Sequence, residues 1–161
     1  FFKIYNTNSL NEIQFINKLG LEPFNKKLNL KYFKFFISNK KKNIKNLLMD
    51  QTFICGLGNI YVNEVLFLSK INPTKPCSRL VNNEIKRLIL NIKKILKLAI
   101  SKGGSSLRDF QNARGKAGHF QEHFQVYGKV NKKCSRISCK GKIRKIIISN
   151  RSSFYCGHCQ I

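Results

Sequence analysis

The sequence predicts a mainly α-helical fold that ends in a β-hairpin, on three observations. Apolar residues recur at helical spacing through most of residues 8–124. Glycine pairs, Gly56 with Gly58 and Gly103 with Gly104, interrupt those periodic stretches where helices must stop. From Lys132 to Gln160 the pattern changes to a β-branched run bracketed by two pairs of cysteines.

In chain order, Phe1 to Asn6 alternates weakly and reads as a strand, the last of an upstream sheet. Ser9 to Gly20 has helix signals at both ends. Ser9 with Glu12 forms a capping box, Leu10, Ile13, Ile16 and Leu19 make an apolar stripe, and Gly20 is placed to close the C-terminus. Leu28 to Ile37 is short, aromatic-rich and helical. Ile44 to Phe53 is expected as a helix burying Leu47, Leu48 and Phe53, and it runs into Cys55-Gly56-Leu57-Gly58-Asn59. There Gly56 and Gly58 allow positive φ, and Asn59 stands at the N-terminus of a second helix, Ile60 to Ser69, where free N–H groups and the dipole favour an anion. A plain helix–helix turn with an Asn N-cap fits the same residues. Pro73 and Pro76 mark a loop. Asn82 to Ser101 is the longest helix, with Ile85, Leu88, Ile89, Ile92, Ile95, Leu96 and Ala99 on one face and lysines opposite. Leu107 to Phe110 forms one more turn, 112–118 is a basic, glycine-bearing loop, and Gln125 to Lys129 leads into the hairpin.

In the tail, Cys134 and Cys139 enclose four residues, Cys156 and Cys159 enclose two, and sixteen separate the pairs. Two short cysteine loops on the arms of a hairpin bring four thiolates to one point, the closed ligand set of a structural zinc. Two disulfides are the alternative and need an oxidising compartment. Residues 143–149 read as a strand, 150–153 as a polar turn with Arg151 at its tip, and Phe154-Tyr155 as the return strand. His158 lies inside the second knuckle and is not counted as a ligand. Cys55 and Cys77 read as small core hydrophobes.

The 161 residues carry 31 Lys and Arg against 7 Asp and Glu, a formal net charge of +24. That excess points to a polyanionic partner, with nucleic acid first. Abundant Lys, Asn and Ile also reflect AT-rich codons, so placed residues weigh more than the total. No apolar run reaches the ~20 residues of a membrane span, and the start FFKIYNTNSL lacks a signal-peptide pattern. The expectation is therefore a reducing, cytoplasmic setting. The chain starts without Met, which reads as a piece of a longer protein.

Four motifs in this order resemble the formamidopyrimidine-DNA glycosylase family: LLMDQTFICGLGNIYVNEVLF, GGSSLRDF, GKAGHFQEHFQVYGK and NRSSFYCGHCQ. The related endonuclease VIII group shares the architecture, but GNIYVNE and QVYGK look more like the formamidopyrimidine branch. The resemblance implies a helix–two-turns–helix DNA-binding domain over 8–124, a zinc-finger hairpin over 125–161, and a remnant of an N-terminal β-rich domain at 1–7. It implies a monomer that binds double-stranded DNA holding a damaged base or abasic site. Lys41, Lys45, Gly56, Gly58, Asn59 and Arg151 would contact DNA, and Arg151 would also assist the late elimination step. Asn112, Gly115, Lys116, Gly118, His119 and Phe120 would belong to a loop over the everted base, with His119 where the family has Tyr and Ala117 where it has Pro. Cys134, Cys139, Cys156 and Cys159 would hold one zinc ion. The family's nucleophile is an N-terminal proline amine followed by glutamate. Pro23, Pro73 and Pro76 are all internal, so this chain reads as the DNA-binding part of a bifunctional glycosylase/AP lyase for oxidised purines, inactive alone. The competing function is a non-enzymatic zinc-ribbon nucleic-acid binder, ribosome-associated or architectural.

Overall fold

The computed structural model describes residues 13–38, 40–105 and 118–161. The expected strand at 1–6, the Ser9–Glu12 capping box, the turn at 107–110 and loop positions Asn112, Gly115, Lys116 and Ala117 lie outside the described residues. Among the described residues, five α-helices come first: α1 (Gln14–Asn17), α2 (Leu30–Ile37), α3 (Ile44–Leu48), α4 (Asn59–Leu68) and α5 (Asn82–Ser101). The antiparallel hairpin of β1 (Ile143–Ile148) and β2 (Arg151–Cys156) follows, with Ile143 opposite Cys156 and Ile148 opposite Arg151. Among the described residues, no helix is long and apolar enough to cross a membrane.

The middle of the molecule is α4. Val62, Val65, Leu66 and Phe67 are buried, as are the polar Asn63 and Glu64. A helix buried all round must satisfy its polar side chains internally: α4 packs against α3, α5 and β2, with Asn63 accepting from Phe154 of β2 and Glu64 accepting from the backbone of residues 125–127. On α5 the expected bounds hold to the residue, and the expected stripe faces the core, with Ile89 half-buried at its margin. Positive φ at Gly103 (71°) and Gly104 (84°) ends it. Two hydrophobic clusters result. The larger joins α2 to α5 with Phe120 and Phe124. The smaller gathers Phe67, Val126, Ile143, Cys134 and Cys156 beneath the hairpin.

Several expectations are corrected. The helix expected over 44–53 ends at Leu48, because the Asp50 carboxylate accepts from the Thr52 N–H (3.1 Å) and hydroxyl (2.6 Å) and stabilises a turn in place of another helical turn. Phe53 is still buried. Helix α1 stops at Asn17, and Leu19 is 47% exposed. Gly20 is needed for close approach: a Cβ there would lie 2.3 Å from the Phe53 carbonyl oxygen. The hairpin turn is shorter than expected, only Ser149 and Asn150, with φ of 47° and 58°. Positive φ at both central residues is the signature of a type I′ turn. Arg151 is thus the first residue of β2, one position past the tip.

Candidate nucleic-acid interface

The turn between α3 and α4 is built by backbone geometry and one glutamine. Gly56 takes φ of +80°. Gln51 spans the turn, donating to the Met49 (3.2 Å) and Leu57 (3.1 Å) carbonyls and accepting from Gly56 N–H (2.8 Å). Gly58 does not take positive φ. At φ −100° and ψ 171° it is the extended N-cap of α4, in place of Asn59. Having no side chain, it leaves the first N–H groups of α4 without a side-chain cap. No protein atom lies within 4 Å of where a Cβ would stand on Gly56 or Gly58, so the turn faces open space.

Asn59, first residue of α4, reaches across to the hairpin and donates from Nδ2 to the Ser152 carbonyl at 3.1 Å. Lys45 of α3 meets the same carbonyl at 2.9 Å and the Ser153 hydroxyl at 2.6 Å. Lys45 is only 1% exposed. Burial, and then the charge of Arg151, bring its pKa down to about 8. Asn63 completes the junction: its Oδ1 accepts from Phe154 N–H (2.7 Å) and its Nδ2 donates to the Asn59 carbonyl (2.7 Å). Arg151, adjacent to the doubly held Ser152, stays exposed. Lys41 is exposed just before α3, whereas Lys42 is paired with Asp50 at 2.6 Å.

The segments that flank the hairpin are tied down at three more points. Glu64 accepts backbone N–H groups of Gln125 (2.8 Å), Val126 (3.1 Å) and Tyr127 (2.9 Å), and burial raises its pKa against those hydrogen bonds. Arg136, inside the first cysteine loop, donates to the Phe67 and Leu68 carbonyls at the C-terminus of α4 (2.7 and 3.2 Å) and lies over the Phe67 ring. Gln160 accepts from Cys156 N–H and donates to the Ile71 carbonyl, both at 2.8 Å. Spacing alone could not assign Asn63, Glu64, Arg136 or Gln160, because each holds a backbone group that is distant in the chain and brought near only by folding.

All four Sγ atoms of Cys134, Cys139, Cys156 and Cys159 lie within 4.8 Å of one another. Cys134 and Cys159 are 3.8 Å apart, and Cys139 and Cys156 are 3.6 Å apart. A tetrahedron of zinc–sulfur bonds of about 2.3 Å places sulfurs roughly 3.8 Å apart, so the set fits one structural zinc. Burial opposes ionisation of Cys156, but the Cys159 and His158 N–H groups and neighbouring thiols outweigh it and bring its pKa to about 7. Burial and its sulfur neighbours push Cys159 up. Four thiolates at this separation need a cation to share their charge.

Of the expected loop over an everted base, the described part is its end. Phe120 is fully buried against Tyr61 and Phe124, His119 is exposed with Nδ1 2.9 Å from Glu122, and Gly118 packs on the Gly104 backbone.

The family described as "Formamidopyrimidine-DNA glycosylase H2TH domain" matches residues 19–111, and "Zinc finger found in FPG and IleRS" matches 131–161. The chain belongs to the formamidopyrimidine-DNA glycosylase H2TH family. The formamidopyrimidine-DNA glycosylase of Rickettsia massiliae is 45% identical over 149 residues, 92% of this chain and 53% of that protein. That of Lactobacillus gasseri is 42% identical over 146 residues, 91% and 52% of the two chains. The Lactococcus lactis enzyme in complex with abasic-site DNA superposes with TM-score 0.86 at 39% identity, over 98% of this chain and 56% of that one. A mutant of the same enzyme with Fapy-dG-containing DNA gives 0.85 at 39%, over 94% and 55%. This chain spans about half the length of the curated relatives it matches. The family match covers the α3–turn–α4 unit, and the zinc-finger match covers the hairpin and all four cysteines, so the two elements joined through Ser152 are the two that carry the family assignment.

Proposed function

We propose that this chain supplies the damaged-DNA grip of a base-excision-repair glycosylase/AP lyase acting on oxidised purines. The observation that carries the reading is the shared hold of Lys45 and Asn59 on the Ser152 carbonyl, which fixes the glycine turn and the Arg151 strand to each other. Three phosphate ligands then act from one side. Lys41 offers a flexible point charge, Arg151 a bidentate fork, and the uncapped start of α4 at Gly58 and Asn59 a set of N–H donors. Gly56 and Gly58 leave room for the sugar-phosphate backbone to come close. A grip of this kind pins both sides of an opened step while a base is extruded, a process that costs a few kcal/mol. We assign the helical domain to 8–124 and the finger to 125–161, a monomer, in a cytoplasm that keeps the four thiols reduced.

Glycosidic cleavage by a proline amine needs a free N-terminal proline, and Pro23, Pro73 and Pro76 are internal. The 161 residues alone are therefore expected to bind damaged duplex without cutting it, with Arg151 aiding elimination only in a protein that also carries the nucleophile. The test is fluorescence anisotropy of the zinc-loaded chain against abasic-site, oxidised-guanine and undamaged duplexes of one sequence. The proposal expects tighter binding to the damaged duplexes and no strand cleavage. Equal affinity for all three would favour a lesion-indifferent zinc-ribbon nucleic-acid binder.

A further inference from the structure

Where α2 meets α5, the helices leave an open groove of about 420 Å³. Leu28, Leu30, Ile89 and Leu90 form its floor, and Lys86 and Lys93 stand along its α5 side. Leu90 is 67% exposed although it sits mid-helix. Beyond Asn29, the N-cap of α2, a second depression of about 300 Å³ continues the surface past Lys31 and Tyr32 to Phe35, which is 77% exposed. Among the described residues, no acidic side chain lines either depression. A single exposed leucine needs no explanation, but two shallow apolar depressions that meet at Asn29 do.

We propose that this α2–α5 face binds an acidic amphipathic segment of a protein partner, with its apolar side chains on the leucine–isoleucine floor and its carboxylates on the lysine rim. Charge complementarity selects that occupant. A second copy of this chain would set the same lysines against themselves across a twofold axis. A nucleic-acid strand offers phosphates to the rim but has no aliphatic side chains for the floor. An amphipathic helix in a groove supplies both chemistries at once. Lys41, Asn59 and Arg151 do not line the groove, so the inference stands independently of the DNA reading, and joint binding of peptide and duplex is one of its expected outcomes.

The experiment uses the zinc-loaded chain and a fluorescein-labelled synthetic peptide, about four helical turns long, with leucines on one face and glutamates on the other. Saturable binding is expected. It should weaken at least about tenfold with Leu90→Glu, with the pair Lys86→Glu and Lys93→Glu, and when the peptide's glutamates become glutamines. Saturating abasic-site duplex should not displace the peptide. Binding that ignores the variants, or peptide displaced by duplex, overturns the proposal, the latter by placing the peptide on the DNA grip. Loss of duplex affinity in the same variants also overturns it, by making the groove a nucleic-acid surface. Should Leu90→Glu fail to fold, amide-shift mapping of the wild-type chain decides. Shifts at 28–31 and 86–93 support the groove, and shifts at 56–59 and 151–153 refute it.

Discussion

Lys45 Nζ lies under the hairpin, donating to Ser152 and Ser153, and its pKa of about 8 is set first by burial and then by Arg151. At pH 7 it is mostly charged, and above about 9 it is mostly neutral. DNA is a polyanion, so binding favours the protonated form, and the contribution of Lys45 is present below about 8 and lost as pH rises through that value. Duplex affinity is therefore expected to fall several-fold between pH 7 and 9, and the drop to shrink in Lys45→Met, measured by anisotropy at constant salt. An unchanged pH profile in the variant would remove Lys45 from the grip. Arg151 is the complementary case, exposed and outside the four-sulfur cluster. Arg151→Ala should weaken duplex binding about tenfold, the scale of a lost charge-assisted contact. Its zinc content, measured by metal analysis, should stay at the wild-type level, and metal loss would show that Arg151 supports the finger's fold.

At the level of elements, the hairpin turn offers a direct stability test. Ser149 and Asn150 both sit at positive φ, a region that costs an L-residue roughly 1–2 kcal/mol and that an Asn-Gly pair adopts most readily. Both residues are exposed, so a change there acts through the backbone and leaves the core packing as it is. The double substitution Ser149→Asn with Asn150→Gly should raise the denaturant midpoint by the equivalent of about 1 kcal/mol. A lowered midpoint would mean that the turn is not type I′. The same turn shows where the sequence was legible. Periodicity placed α5 to the residue because its stripe spans about four turns, and cysteine spacing placed the cluster because four ligands must converge. Short elements were less readable. Asp50 competes locally with helix beyond Leu48, and the strand-to-strand turn depends on backbone φ that Ser149 does not advertise. The tethers from Asn63, Glu64 and Arg136 were illegible for a different reason: their partners lie on backbone up to 91 residues away.

For the whole molecule, the division into two hydrophobic clusters sets what metal removal can do. The smaller cluster includes Cys134 and Cys156 themselves, so the zinc and the hairpin's packing form one unit. The larger contains α2 to α5 without any of the four cysteines. A zinc site contributes folding energy directly to the segment that holds its ligands. Chelation should therefore unfold the hairpin and leave most of the helical far-UV circular dichroism signal intact. Duplex affinity should nevertheless collapse, because Arg151 is lost with β2, and because Lys45 and Asn59 lose Ser152 as their shared acceptor. Lys45 would then be uncovered on the helical domain and its pKa would move back towards that of a solvated amine. Titration of the chelated chain against abasic-site duplex, read beside its circular dichroism, checks both halves of the prediction. Loss of helix in step with the metal would show that the two clusters fold as one cooperative unit. Retained affinity would show that the glycine turn and Lys41 grip DNA without the finger.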